Sequence, residues 1–231
     1  MANFNTHITV AAVASGLLST LCLQVGFIES NEALLLTLVG TIGGILPDID
    51  LQHSYPSRII FSLLGIILAF LWVFSTKNQL AILELWVLGM IIYAVIRYPI
   101  WMVFHRYTKH RGAIHSVAAA VAFGFFSTAV SFQVFSKAPF LAWMIGLLVF
   151  FGFIIHLLLD ELYSVDFMNR RIKRSFGTAL KIIDKKELIS SGLLIVFAVT
   201  SLWFAPSSTK FLNTFLAPQT YHIIWDRMLP P

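Results

Sequence analysis

The chain of 231 residues is 58% hydrophobic and 12% charged, with a net charge of +5 and a mean hydropathy of +0.83. Soluble domains carry about 25% charged residues, so this composition excludes an ordinary soluble domain and predicts a membrane protein. The positive charge does not indicate a nucleic-acid partner, because Lys and Arg in membrane proteins mostly report orientation and anionic headgroups. The single cysteine, Cys22, excludes an intrachain disulfide.

Apolar runs of near-membrane length follow one another along the chain. A spanning helix needs roughly 20 apolar residues, and the runs cover 8–28, 32–47, 58–76, 80–104, 113–135, 139–160 and 188–205. No basic residue precedes the first run, so we expect a retained helix there and not a signal peptide. The pattern predicts an all-α, polytopic membrane bundle with about seven apolar segments. We assign residues 1–205 to a membrane-embedded domain and residues 206–231 to a C-terminal tail.

Two of these runs depart from a simple span. The run 32–47 is short and glycine-rich and ends at Pro47, which leaves a tilted, a broken and a re-entrant segment open. The run 80–104 contains Glu84, Arg97 and Pro99, which predict a kinked helix that is partly buried in the bundle.

The basic residues predict the orientation. If all seven runs cross the membrane, eleven Lys and Arg residues lie on the face of the N-terminus and four lie on the other. Because cytoplasmic loops carry the excess of positive charge, this face is predicted to be cytoplasmic. Most of the histidines fall on or next to the same face, namely His7, His53, His105, His110, His115 and His156.

Carboxylates join these histidines in short motifs. His156 and Asp160 are four residues apart in HLLLD, on one face of a helix, which suits either a shared metal or a helix-end hydrogen bond. In PDID, Asp48 and Asp50 alternate and can approach one metal from an extended turn; a helix stop with capping carboxylates is the alternative.

The remaining candidate histidines lie in HRGAIHS or stand alone in the sequence. In HRGAIHS, Gly112 predicts a loop that carries His110 and Arg111, with His115 in the first turns of the next helix. His7 precedes the first run and is equally compatible with a surface position and with a ligand. His53 and His105 are weaker candidates.

The residue types indicate a metal site. Mixed imidazole and carboxylate ligands suit zinc most readily, and also manganese, iron or nickel, and such a divalent metal activates water for hydrolysis. Arg111 suits a phosphate clamp as well as a positive-inside anchor. Segment 169–187 combines apolar residues near a 3.6-residue period with basic residues, which predicts an interfacial amphipathic helix that attracts anionic headgroups.

Three motifs carry a family resemblance: ILPDID (45–50), HRGAIHS (110–116) and HLLLD (156–160). Together they resemble the YdjM-type inner-membrane proteins, regarded as metal-dependent hydrolases, and more distantly the zinc-dependent phospholipases C and single-strand nucleases. The resemblance implies a bacterial inner membrane location. It also implies a metal-ligand set of His7, Asp48, Asp50, His110, His115, His156 and Asp160. The chain departs from the family pattern after PDID, where His53 is displaced by two residues.

We therefore expect a hydrolase that uses metal-activated water on a phosphoester of lipid or membrane-delivered type, with Asp50 as the first candidate for the base and Arg111 as the phosphate ligand. Its expected partner is membrane lipid, with an anionic headgroup near 169–187 and Arg111. The alternative is a non-catalytic metal-stabilised scaffold or a transporter that binds a cytoplasmic partner. A histidine-nucleophile lipid phosphatase would need a PSGH-type motif, and a di-iron enzyme would need HH pairs; the chain has neither.

Overall fold

The structure is a computed structural model that describes residues 3–50, 54–76, 80–108, 112–166, 171–172, 180–184 and 187–228. The predicted all-helical class is confirmed. The helices are α1 (Phe4–Gln24), α2 (Ser30–Gly43), α3 (Tyr55–Ser75), α4 (Ile82–Val95), α5 (Trp101–Tyr107), α6 (Val117–Gln133), α7 (Pro139–Leu162), α8 (Leu188–Phe204), α9 (Thr209–Leu216) and α10 (Pro218–Met228). A 3₁₀ helix covers Leu46–Asp50, and a π-helical turn covers Ile96–Ile100.

The chain forms two compact units. The first unit comprises Met1–Pro47 and Ala113–Pro231, and the second comprises Asp48–Gly112. In the described part of the first unit, α7 packs against α1, α2 and α6, and α6 packs against α8. In the described part of the second unit, α3 packs against α4 and against the π-helical turn. The division predicted at residues 205 and 206 remains a prediction.

Helix α7 is the centre of the first unit, because its side chains meet both α1 and α2. The core there contains Cys22, Leu36, Met144 and Leu148, none of which is more than 1% exposed. At Gly152 the backbones of α2 and α7 touch, since a β-carbon built on Gly152 would overlap the carbonyl oxygen of Gly40. Small residues at such crossings let membrane helices approach closely, and this approach brings Gly44 to α7.

Four helical segments are long and apolar enough to cross a membrane: Phe4–Gln24, Tyr55–Ser75, Ile82–Arg106 and Pro139–Leu162. Helices α8 and α9 qualify only as a pair, and they are bent by 98°. Among the described residues the candidate spans thus number four or five, fewer than the seven apolar runs. Helix α2, with 14 residues, rises about 21 Å and is too short for a hydrocarbon core of about 30 Å.

The predicted irregularity in run 80–104 is present, because Pro99 lies inside the π-helical turn that joins α4 to α5. Its predicted burial is wrong, because only 6% of the apolar window in Ile82–Arg106 is buried. Glu84 and Arg97 do not require burial inside the helix bundle, because each interacts with a residue of its own segment. Glu84 caps its own helix by accepting a hydrogen bond from the Ala81 amide at 2.9 Å, and the Arg97 guanidinium lies 5.4 Å from the centre of the Tyr98 ring.

A helix through 169–187 is wrong for the part of this segment that the structure describes. Arg171–Ile172 pairs with Val165–Asp166 as two antiparallel strands of two residues each, and 180–184 is not helical. The carbonyl oxygens of Lys181 and Ile182 accept hydrogen bonds from the Val117 and Ala118 amides at 2.9 and 3.0 Å. These two carbonyl oxygens therefore accept hydrogen bonds from the first amides of α6. In a helix through 169–187 they would instead have accepted hydrogen bonds within that helix.

Candidate metal centre

Helices α1 and α7 bring three buried donors together within the first unit. His7 lies in the first turn of α1, which Asn3 caps by accepting a hydrogen bond from the Thr6 amide at 2.8 Å. His156 and Asp160 lie one turn apart on α7, as their spacing predicted. One ligand atom from each of His7, His156 and Asp160 lies within 4.8 Å of the other two, and all three side chains are at most 1% exposed. This buried group could bind a metal.

The rings and the carboxylate are in direct contact. His7 Nε2 lies 3.3 Å from Asp160 Oδ1, and the rings of His7 and His156 stack with centroids 3.7 Å apart and planes 11° from parallel. His115 Nε2 lies 4.0 Å from the other Asp160 oxygen, and its ring lies edge-on to His156 with centroids 5.7 Å apart. Asp160 therefore presents one oxygen to His7 and the other to His115.

A backbone carbonyl orients His156. Its Nδ1 lies 2.7 Å from the carbonyl oxygen of Gly44. Because a carbonyl only accepts, Nδ1 carries the hydrogen, and a neutral ring then has its lone pair on Nε2. Metal-binding histidines have this arrangement, in which the second ring nitrogen donates to a carbonyl or carboxylate that fixes the ring. Gly44 was missed in the sequence, where only the glycine pair before ILPDID marked the position.

The donor set fits a divalent metal. His7 Nδ1 is buried and has no hydrogen-bond partner among the described residues, although a buried ring nitrogen normally has one. Two imidazoles and a carboxylate are also the donor set found in many zinc sites. Since the donors come from α1 and α7, any metal held here would tie the two helices together.

His115 lies close to its predicted place. It precedes α6 by two residues, where we expected it in the first turns of that helix. Ser116 forms the cap: its hydroxyl donates to the Ala113 carbonyl at 2.6 Å and accepts from the Ala119 amide at 3.2 Å. The cap fixes the backbone next to His115, which is fully buried.

Asp48 and Asp50 belong to the second unit, and both are buried. The extended turn predicted for PDID is wrong, because these residues form a 3₁₀ helix. Within the unit, the Ser54 hydroxyl donates to the Asp48 carbonyl at 3.0 Å, and His105 Nε2 lies 3.0 Å from the Ile49 carbonyl. The convergence of both carboxylates with His7, His115, His156 and Asp160 stays a prediction.

The other candidates have different outcomes. His105 is a hydrogen-bonded residue of the second unit, where its Nε2 also lies 3.1 Å from the Ser57 hydroxyl, which accepts from the Trp101 indole at 2.9 Å. His53, His110 and Arg111 lie outside the described residues. Most residues of segment 169–187 also lie outside the described part of the chain.

A family model described as YdjM inner membrane protein matches residues 1–223. No curated protein and no solved structure matches the chain.

Proposed function

The chain belongs to the YdjM inner membrane protein family, and we propose that it is a membrane-embedded, metal-dependent hydrolase. Its proposed substrate is a phosphoester of a lipid or of another molecule that the membrane delivers. One observation carries the proposal: His7, His156 and Asp160 place three donor atoms within 4.8 Å of one another in a fully buried site. A buried carboxylate beside imidazoles is costly to maintain without a compensating role.

His7, His156 and Asp160 would hold the metal, with zinc as the first candidate, and His115 would add a fourth donor. When bound, a divalent metal would polarise a phosphoryl oxygen and lower the pKa of a water molecule to about 7. The Gly44 carbonyl contacts His156 Nδ1, so Nε2 would be the ring nitrogen that binds the metal. Asp48 and His110 are proposed as further donors.

Two residues complete the proposed chemistry. Arg111 would bind a non-bridging phosphate oxygen, because the guanidinium fork matches phosphate geometry. The Asp50 carboxylate would accept the proton that the attacking water loses. Both assignments rest on the sequence motifs.

The position of the candidate centre at the ends of two candidate spans supports a substrate delivered by the membrane. His7 lies at the start of α1 and Asp160 near the end of α7, and both helices are candidate spans. A site at the ends of spans lies near the headgroups, where a lipid arrives by lateral diffusion without leaving the bilayer. Segment 169–187 follows α7 and would attract anionic headgroups by about 1 kcal/mol per basic residue near the surface. The same positive charge supports a cytoplasmic location for the N-terminus and the centre.

The test is hydrolysis of anionic phospholipids and of a chromogenic phosphodiester by detergent-purified protein. We expect activity that a chelator abolishes and added zinc restores, and that His156→Ala removes. His222→Ala is the matched control, because His222 is exposed on α10, far along the chain from the centre. Activity that survives both chelation and His156→Ala would refute the proposal. A metal-loaded protein that hydrolyses none of the phosphoesters would favour the alternative, a non-catalytic metal-stabilised scaffold.

A further inference from the structure

The chain turns sharply after its last long apolar helix. Helix α8 has 17 residues and rises about 25 Å, close to the thickness of the hydrocarbon core. Helix α9 then departs at 98°. Two hydrogen bonds fix the corner, since the Gln133 side-chain amide donates to the Phe204 carbonyl at 2.8 Å and the Trp143 indole donates to the Pro206 carbonyl at 3.1 Å.

Helix α9 packs on the first unit by one side only. Phe211 stacks on Trp143 with ring centroids 5.8 Å apart, and Phe215 lies 5.6 Å from Phe27. The neighbouring stripe is not covered, because Leu212 is 46% exposed and Leu216 is 71% exposed. The packing holds α9 across the end of the helices and leaves an apolar edge outside.

Helix α10 continues this exposed apolar surface. Tyr221, Ile224, Trp225 and Met228 have the spacing that places side chains on one face of a helix. Tyr221, Trp225 and Met228 are 60%, 73% and 64% exposed. Exposed apolar stripes of this kind mark an interaction surface.

We propose that α9 and α10 form a membrane-surface anchor that docks Leu212, Leu216, Tyr221, Trp225 and Met228 into the boundary between headgroups and acyl chains. The bend supports lipid as the occupant: α9 lies at 98° to α8, so with α8 running across the bilayer, α9 would lie along the membrane plane. Trp and Tyr are enriched at this depth, and Lys210 and Arg227 suit anionic headgroups. This proposal does not depend on metal binding or hydrolysis.

The proposed anchor lies at the membrane leaflet opposite the candidate metal centre. Trp143, which stacks on α9, and His156 both lie on α7, and the intervening residues rise about 20 Å. The metal centre lies at the end of α7, whereas α9 crosses its beginning. The two functional surfaces therefore act at opposite faces of the first unit.

Site-directed spin labelling of the full chain in phosphatidylglycerol-containing vesicles tests the anchor. Cys22 is the only cysteine, so a Cys22→Ala background accepts single labels through Leu216→Cys and Trp225→Cys, with Asn213→Cys and Asp226→Cys as controls on the polar sides. Because Cys22 is buried, it can be retained if the background does not fold.

We expect labels at 216 and 225 to be relaxed by oxygen more than by a water-soluble nickel complex, and labels at 213 and 226 to show the reverse. Nickel accessibility at all four positions would overturn the proposal. Spin–spin broadening at 216 and 225 that disappears on dilution with unlabelled protein would also overturn it, because a second copy would then cover the surface.

Discussion

The Asp160 carboxylate contacts two histidines from different parts of the chain, one through each oxygen. The His7 ring nitrogen lies 3.3 Å from Oδ1 and the His115 ring nitrogen lies 4.0 Å from Oδ2. His156 is held beside them by the Gly44 carbonyl. Because an unpaired charge in a buried site is costly, these contacts make Asp160 the residue on which the centre depends most.

We predict that Asp160→Asn lowers zinc affinity by more than the 10–100-fold loss that changes in the outer shell of a metal site cause. The substitution keeps the shape of the side chain but removes its charge. Competition with a chromophoric chelator measures the affinity, and His222→Ala provides the comparison. Equal zinc affinities for Asp160→Asn and the wild type would exclude Asp160 as a ligand.

A second prediction concerns His105, which connects Ser57, Trp101 and the Ile49 carbonyl within the second unit. His105→Leu leaves the fully buried Ser57 hydroxyl and the Ile49 carbonyl without this ring, which costs about 1–3 kcal/mol. We expect earlier thermal unfolding in detergent. Arg58→Ala, an exposed change on α3 next to Ser57, should stay within about 0.5 kcal/mol of the wild type. Identical unfolding of both variants would show that the His105 contacts contribute nothing.

Helix contact, and not only residue identity, creates the centre. The Gly44 carbonyl reaches His156 because α2 and α7 touch at Gly40 and Gly152, and a β-carbon on Gly44 would overlap Ala11 of α1. Glycines at these positions therefore support the candidate metal centre, although none of them supplies a side chain to it.

We predict that Gly152→Ala destabilises the protein by about 1–3 kcal/mol, as overpacking does, and weakens zinc binding by moving Gly44 away from His156. Gly192→Ala is the matched control, because nothing lies within 4 Å of a β-carbon there. Thermal unfolding and zinc titration of both variants measure the two effects. Wild-type zinc affinity in Gly152→Ala would show that the α2–α7 contact does not support the centre.

Across the whole chain, the contacts of the candidate metal centre constrain the topology of the first unit. His7 at the start of α1 contacts Asp160 near the end of α7, so the N-terminus and the residues after 162 lie at the same membrane face. Segment 169–187 follows α7 in the sequence, and its basic residues are predicted to lie at that face. That the N-terminus and the residues after 162 share a face does not require all seven apolar runs to cross the membrane.

We predict that reporters fused at the N-terminus and after residue 164 report the cytoplasm, and that a reporter after residue 137 reports the opposite face. In the second unit, α3 and the segment Ile82–Arg106 are both candidate spans, so reporters after residues 52 and 108 should agree with each other and differ from one after residue 78. A reporter after residue 137 on the same side as one after residue 164 would contradict α7 as a span.

The sequence predicted what depends on local patterns. Apolar runs located the long helices but not α9 and α10, and the spacing of His156 and Asp160 placed both residues on one face of α7. It did not predict features set by contacts distant in sequence, such as the Gly44 carbonyl beside His156. Run 32–47 was predicted to be short and irregular from its glycines and Pro47, and α2 ends at Gly43. Segment 169–187 has helical periodicity, but the carbonyls of Lys181 and Ile182 are used by α6.

The central claim, that His7, His156 and Asp160 form a metal site, is tested most directly by metal analysis of protein purified from membranes. Elemental analysis should find stoichiometric divalent metal, with zinc predominant, in the wild type and in His222→Ala, and none above background in His156→Ala. A correctly folded wild-type protein that stays metal-free after incubation with zinc, manganese, iron or nickel would contradict the claim. Equal metal content in all three proteins would contradict it as well.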